Sequence, residues 1–319
     1  MTRRAIDCWY LTGATASGKT SVGLELAAQL GAEIISLDSM AVYRGMDIGT
    51  AKPTLAQRRR VSHHLLDVVD PDQTFSLSNY LRLAHAAIHE VQTRGCQALF
   101  VGGTPLYLKS LLRGIFSGPP ADLEFRRQIE AETAVVGCAA LHQRLRQVDP
   151  LSAARLHPRD VRRIVRALEV YRATGKPISH LQLEFERAHP AEACKVFVLD
   201  WPRTELRRRI DRRVESMFAL GLVDEMRSLR ARYPALGRTA LQAVGYREVF
   251  DLLEGRSDLA ETVARIKART WLFARRQETW FRGLSECRRV PRQDEDDFCE
   301  TARRIVQMAR DPHQAKGQG

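Results

Sequence analysis

Two kinds of apolar pattern alternate along the first third of the chain. Cys8-Trp9-Tyr10-Leu11 is a continuous apolar run, the mark of a buried strand. Glu33-Ile34-Ile35-Ser36-Leu37 and Ala98-Leu99-Phe100-Val101 predict further strands, and Leu65 to Val69 a short third one between them. Helical spacing fills the gaps. One helix is expected from about Lys19 to Leu30, stopping at Gly31, and an amphipathic helix containing Ala84 to Val91 ends near Gly95. Strands alternating with helices predict a parallel, doubly wound α/β sheet.

After Gly118-Pro119-Pro120 the pattern turns wholly helical as far as Lys176-Pro177. Asp149-Pro150 has the form of an N-cap followed by proline at the first helical position. Val161, Ile164, Val165 and Leu168 recur at helical spacing, and Thr174-Gly175-Lys176-Pro177 is a stop signal. Strand character returns at Val196-Phe197-Val198-Leu199. A long helical region spans about Arg203 to Arg282, followed by a short strand near Arg288-Arg289-Val290 and a helix around Phe298 to Ala309. The expectation is a discontinuous α/β core, 1–118 plus 186–312, interrupted by a helical insertion at 119–185. A tail at 313–319 is expected to lack structure.

Composition changes this picture little. The chain has 319 residues, 44% hydrophobic and 28% charged, which suits a globular protein with a proper core. No apolar stretch is long enough to span a membrane, and the N-terminus lacks the pattern of a secretory signal, so a cytoplasmic protein is expected. The six cysteines form no C-x-x-C pair and the nine histidines show no metal-ligand spacing. Charge adds more. The net charge is +12, and residues 265–292 hold nine basic against two acidic side chains. Clustering of this kind points to a polyanionic partner.

The strongest chemical signal is Gly13-Ala14-Thr15-Ala16-Ser17-Gly18-Lys19-Thr20, a full G-x-x-x-x-G-K-[ST] between a predicted strand and a predicted helix. Glycines let the backbone N–H groups converge on phosphate oxygens, and the helix N-terminus adds partial positive charge. Lys19 would neutralise phosphate charge, and Thr20 offers a hydroxyl to Mg²⁺. The core is thus expected to be like that of P-loop NTPases, with a di- or triphosphate as ligand. Asp38 follows the second strand at the edge that faces the ligand crevice, where a carboxylate can act as general base or metal partner.

Asp38 opens the run Asp38-Ser39-Met40-Ala41-Val42-Tyr43-Arg44-Gly45-Met46-Asp47-Ile48-Gly49-Thr50-Ala51-Lys52-Pro53. With the phosphate loop, this run resembles the tRNA dimethylallyltransferase family. Other blocks agree in order: His63-His64-Leu65-Leu66-Asp67, Gly102-Gly103-Thr104-Pro105-Leu106-Tyr107, Arg162 to Val170, Val244 to Glu248, and Arg276 to Arg282. The resemblance runs from about residue 13 to 282.

That resemblance implies transfer of a dimethylallyl group from dimethylallyl diphosphate to the exocyclic amine of adenosine-37 in tRNA, with Mg²⁺ as cofactor. It implies Asp38 as base, Lys19 and Thr20 at the diphosphate, Thr104 on the leaving group or acceptor base, and Arg213 as a diphosphate-binding arginine. It assigns to tRNA the residues Asp38, Ser39, Met40, Ala41, Thr104 and Arg126. It adds Arg162, Arg163, Ile164, Val165 and Arg166 on the inserted helix, and Gln242, Ala243, Val244, Gly245, Tyr246 and Arg247. The last block is Arg275, Arg276, Gln277, Glu278, Thr279, Trp280, Phe281 and Arg282. A monomer is implied. Helical spacing independently pairs Arg159 with Arg163 and Arg162 with Arg166, and puts Arg265, Arg269 and Arg276 on one face. Trp280 and Phe281 could stack on an unstacked base.

Three positions depart from the family pattern: Ala41 for a usual Gln, Arg159 for a usual Asn, and Pro105 for a usual Gly. Two other enzymes would share the phosphate loop, a prenyltransferase of free adenine nucleotides and a small-molecule kinase. A non-catalytic RNA-binding protein is the remaining reading. The basic segments argue for RNA, and intact Lys19, Thr20 and Asp38 argue for catalysis.

Overall fold

The computed structural model describes residues 5–116, 118–186 and 188–311. The expected unstructured tail, 313–319, lies outside the described residues. The chain forms β1 (Trp9–Gly13), α1 (Lys19–Leu30), β2 (Ala32–Ser36), α2 (Leu55–Arg60), β3 (His63–His64), α3 (Leu77–Thr93), β4 (Gln97–Val101) and α4 (Pro105–Arg113). Then come α5 (Leu123–Val148), α6 (Pro150–Arg155), α7 (Val161–Thr174) and α8 (Ile178–Gln182). The chain continues through β5 (Lys195–Asp200), α9 (Arg203–Ala219), α10 (Leu222–Arg232), α11 (Tyr246–Leu253), α12 (Leu259–Arg282), β6 (Cys287–Pro291) and α13 (Phe298–Arg310).

Among the described residues, six strands pair in parallel, in the order β3-β2-β4-β1-β5-β6. Strand side chains alternate between faces. Trp9 and Leu11 of β1 therefore pack with Val22, Leu26 and Ile305 from α1 and α13. Tyr10 points the other way, among Tyr80, Ile88, Leu108 and Phe281 from α3, α4 and α12. Burial on both faces explains why these strands read as unbroken apolar runs. A further apolar layer joins Val42, Tyr43 and Met46 to Val214, Met226, Tyr246 and Ile266 of α9 to α12.

Contacts divide the chain into two compact units, Met1–Leu112 with Ala188–Gly319, and Arg113–Arg187. The second is wholly helical and has its own core of Phe125, Ile129, Leu145, Ile164, Val165 and Leu168. Asp149 caps α6 through its side chain, accepting from the Ser152 N–H at 2.9 Å. No helix among the described residues is long and apolar enough to cross a membrane.

Several elements differ from the pattern-based expectation. The third strand is His63–His64, paired with Ile34–Ile35, and not Leu65–Val69. Leu65 and Asp67 have φ of 60° and 56°, which breaks the extended run, and Val69 makes only an isolated bridge with Tyr43. The turn carries Asp67 to Lys52. The helical region 203–282 is four α-helices, with a break at Gly221 between α9 and α10. Helix α2 escapes the pattern because it buries no residue; Thr54 and Gln57 hold its start in a capping box. Helix α4 begins at Pro105, whose fixed φ suits a first helical turn.

Candidate active site

Three loops meet at the C-terminal edge of β1, β2 and β4, where open α/β sheets bind ligands. The first, 13–20, joins β1 to α1. Gly18 lies there at φ 86°, a left-handed conformation that glycine takes without strain. The α9 region buttresses this loop: Trp201 Nε1 donates to Ser17 O at 3.0 Å and Arg209 Nε to Ala16 O at 3.0 Å. Arg209 also stacks over Trp201, 4.1 Å from the ring centroid. Lys19 Nζ folds back on the loop, donating to Gly13 O at 3.0 Å and Ala14 O at 2.6 Å.

The second loop carries Asp38. Its Oδ1 accepts from the N–H groups of Met40 (2.8 Å) and Ala41 (3.3 Å), which fixes the carboxylate. No ion pair among the described residues engages it. The third loop, Gly102-Gly103-Thr104, lies hard against the second. A Cβ on Gly102 would come within 2.3 Å of the Leu37 carbonyl, so glycine is required by close approach. Thr104 Oγ1 accepts from Ser39 N–H at 3.1 Å, tying the third loop to the second.

These loops and α9 line an open cleft. Thr15 to Thr20, Asp38, Ala41, Gly102, Gly103 and Arg213 line it, with Phe273 at 38% exposure and the buried Gln277 from α12. The structure thus brings together Lys19, Thr20, Asp38 and Arg213. Thr104 adjoins the cleft through Ser39.

The electrostatics are uneven. Burial and the nearby Arg213 guanidinium push the Lys19 ammonium down to about 7, and Asp38 opposes them. Burial also lowers Arg213, again against Asp38. Among the described residues, Arg213 Nε has no hydrogen-bond partner. Two crowded cations face one carboxylate, an arrangement that an incoming anion relieves.

Two supports of this cleft are not evident from the sequence. Lys52, 8% exposed, donates from Nζ to Tyr43 O (2.5 Å), Asp47 Oδ1 (2.7 Å) and Asp67 Oδ1 (2.6 Å). It thereby ties the 38–53 run to the His63–Asp67 block. Glu225 of α10 accepts from the N–H groups of Asp47, Ile48 and Gly49 at 2.9, 2.7 and 3.3 Å, and from Tyr246 Oη at 2.7 Å. Lys52 lay inside a recognised run; for Glu225 nothing local signals a loop clamp.

The residues assigned to tRNA by resemblance separate by exposure. Arg162, Arg163, Gln242, Arg247, Arg275, Arg276, Thr279, Trp280 and Arg282 are exposed, whereas Met40, Val244 and Glu278 are partly so. Ile164 and Val165 are instead core residues of the helical unit, because they lie on the face of α7 opposite the exposed arginines. Ala243, Gly245, Tyr246, Gln277 and Phe281 are buried too and add nothing to the outer surface. Arg159 precedes α7, which starts at Val161 after the Asp160 cap, and so shares no helical face with Arg163. Arg126 and Arg166 are both held by Glu169, itself 2% exposed. Arg265 and Arg269 pair with Asp251 and Glu248, and Arg276 is exposed.

A family model described as IPP transferase matches residues 41–284, and a second, described as isopentenyl transferase, matches 6–69. The chain belongs to the IPP transferase family. A tRNA dimethylallyltransferase of Rhodopirellula baltica is 50% identical over 291 residues, covering 88% of this chain and 87% of that one. Another from Syntrophobacter fumaroxidans is 44% identical over 314 residues, covering 98% and 90%. Among solved structures, the tRNA isopentenylpyrophosphate transferase of Bacillus halodurans superposes with a TM-score of 0.68 at 35% identity, covering 97% of this chain and 96% of that one. Within this family frame, the cleft between the phosphate loop, Asp38 and Arg213 is the candidate active site.

Proposed function

We propose that this IPP transferase moves a dimethylallyl group from dimethylallyl diphosphate to the exocyclic amine of adenosine-37 in tRNA. The observation that carries this reading is the pair of half-buried basic side chains, Lys19 and Arg213, that line with Asp38 a cleft floored by a phosphate loop.

The diphosphate occupies the loop, where N–H groups at the start of α1, Lys19 and Arg213 balance its charge. The allylic carbon then points toward Asp38. The amine nitrogen forms the new bond to that carbon as the carbon–oxygen bond to diphosphate breaks. Its proton passes to Asp38, and diphosphate leaves with the bonding electron pair. An adenine amine is a weak nucleophile, so proton removal and leaving-group stabilisation both count. The Thr104 hydroxyl, held on Ser39, sits beside Asp38 to contact the leaving group or the acceptor base.

The donor set suits Mg²⁺. Thr20 brings a hard hydroxyl oxygen to the cleft at the end of the phosphate loop, the kind of donor such an ion would take. Thr20 would hold it, and it would add positive charge at the leaving diphosphate. For tRNA, exposed Arg247, Arg275 and Arg276 on the core and Arg162 and Arg163 on the helical unit supply phosphate contacts. The target base must leave its stack to enter the cleft.

Asp38→Asn tests the assignment. It should keep tRNA affinity and lose at least about a hundredfold in turnover, the general-base range. Undiminished turnover would exclude Asp38 as the base.

A further inference from the structure

Gln277 stands among residues that resemblance assigns to RNA, yet it is 3% exposed. Its Oε1 accepts from Thr15 N–H at 2.8 Å, and its Nε2 donates to Gly103 O at 2.5 Å. Thr15 belongs to the phosphate loop after β1. Gly103 belongs to the loop after β4, the neighbouring strand, and precedes Thr104. One amide therefore spans the two loops.

We propose that Gln277 is a positioning residue that sets the phosphate loop against the Thr104 and Asp38 side of the cleft. This rests on the prenyl-transfer reading above. The packing leaves the third loop little room. A Cβ on Gly103 would lie 2.5 Å from Gln277 Nε2 and 3.5 Å from Lys19 Nζ, and Gly102 abuts Leu37 on the other side. The backbone at 102–103 is thus pinned between Leu37 and the Gln277 amide. Thr104 follows directly, with its N–H on Leu37 O at 3.1 Å and its Oγ1 on Ser39 N–H. A shift of Gln277 moves Thr104 relative to Lys19.

The chemistry of the site selects an amide. It must accept from one backbone N–H and donate to one backbone carbonyl at once, and remain neutral beside Lys19. A carboxylate accepts at both oxygens, repels the Gly103 carbonyl and draws the Lys19 ammonium off the diphosphate. A methionine fills the volume and leaves both backbone groups without partners.

The test compares wild type with Gln277→Met and Gln277→Glu in steady-state prenylation of tRNA, tRNA binding, and amide hydrogen exchange of the 13–18 and 102–104 segments. Gln277→Met should lower kcat by about 10- to 100-fold, the scale of an ångström of misplacement, and leave tRNA affinity unchanged. Its Thr15 amide should exchange faster than in wild type. Gln277→Glu should be impaired at pH 8 and regain part of its rate, relative to wild type, at pH 6. Protonation there restores a donor to Gly103 O, a rescue that general loss of packing does not give. Wild-type kcat in both variants, unchanged exchange at Thr15, or a loss confined to tRNA affinity would overturn the proposal. A wild-type chain that fails to prenylate tRNA overturns the functional reading instead, and the exchange arm still decides the role of Gln277.

Discussion

Binding of the diphosphate should draw a proton onto Lys19, and the amount follows from the cleft. Burial and Arg213 hold the free ammonium at about 7, so at pH 8 only about one Lys19 in ten is charged. A bound diphosphate places several negative oxygens against the amine and reverses the balance, returning it to the charged form. The expected uptake is about 0.9 proton per site. Titration calorimetry with an unreactive thiolo analogue of dimethylallyl diphosphate, in buffers of differing ionisation enthalpy, measures this directly. At pH 8 the terminal phosphate, with a second pKa of about 6, is already ionised and contributes nothing. Lys19→Arg is the control, since a guanidinium stays charged throughout and should bind without uptake. Uptake near zero in wild type, or equal uptake in both proteins, would refute the electrostatic account of the cleft.

The same lysine links stability to pH. Its folded value lies below the ordinary 10.5, so the folded state holds fewer protons between about 7 and 10.5. Lys19→Met should therefore raise the Tm of the ligand-free protein most at or below pH 7, and the gain should fade toward pH 10; a gain that grows with pH would contradict this. Gly102→Ala should cost about 1–3 kcal/mol by denaturant unfolding, since its Cβ meets the Leu37 carbonyl at 2.3 Å, and should lose turnover as Thr104 is displaced. Glu169→Gln removes the carboxylate that holds Arg126 and Arg166, with an expected loss of about 1–3 kcal/mol. Filter binding at stepped salt should show tRNA affinity falling steeply with salt, and Arg275→Ala should flatten the slope by about one phosphate contact.

The strength of each local signal decided how far the sequence could be read. Helix α1 was legible from Lys19 to Leu30 because the phosphate motif starts it and Gly31 ends it. Strands β1, β4 and β5 were legible because burial on both faces leaves no polar interruption. Strand β3 lies at His63–His64 and not at Leu65–Val69 because Leu65 and Asp67 take positive φ, in a turn that brings Asp67 to Lys52 and Arg58, pairings that no local pattern announces. Lys19 and Asp38 were legible by motif and by place after a strand. That Lys19 and Arg213 crowd each other was not, since α9 reaches the cleft only through tertiary packing. Resemblance assigns Gln277 to tRNA along with Arg275, Arg276 and Thr279, which are exposed, whereas its own position on α12 faces the two loops.

Prenyl transfer to tRNA in this cleft is read out by a transfer assay with radiolabelled dimethylallyl diphosphate and Mg²⁺. Unmodified tRNA and free AMP are offered in parallel to wild type and to Asp38→Asn. Label is expected in tRNA alone, with Asp38→Asn slower by at least about a hundredfold. Label in AMP, or in neither acceptor, would contradict this expectation.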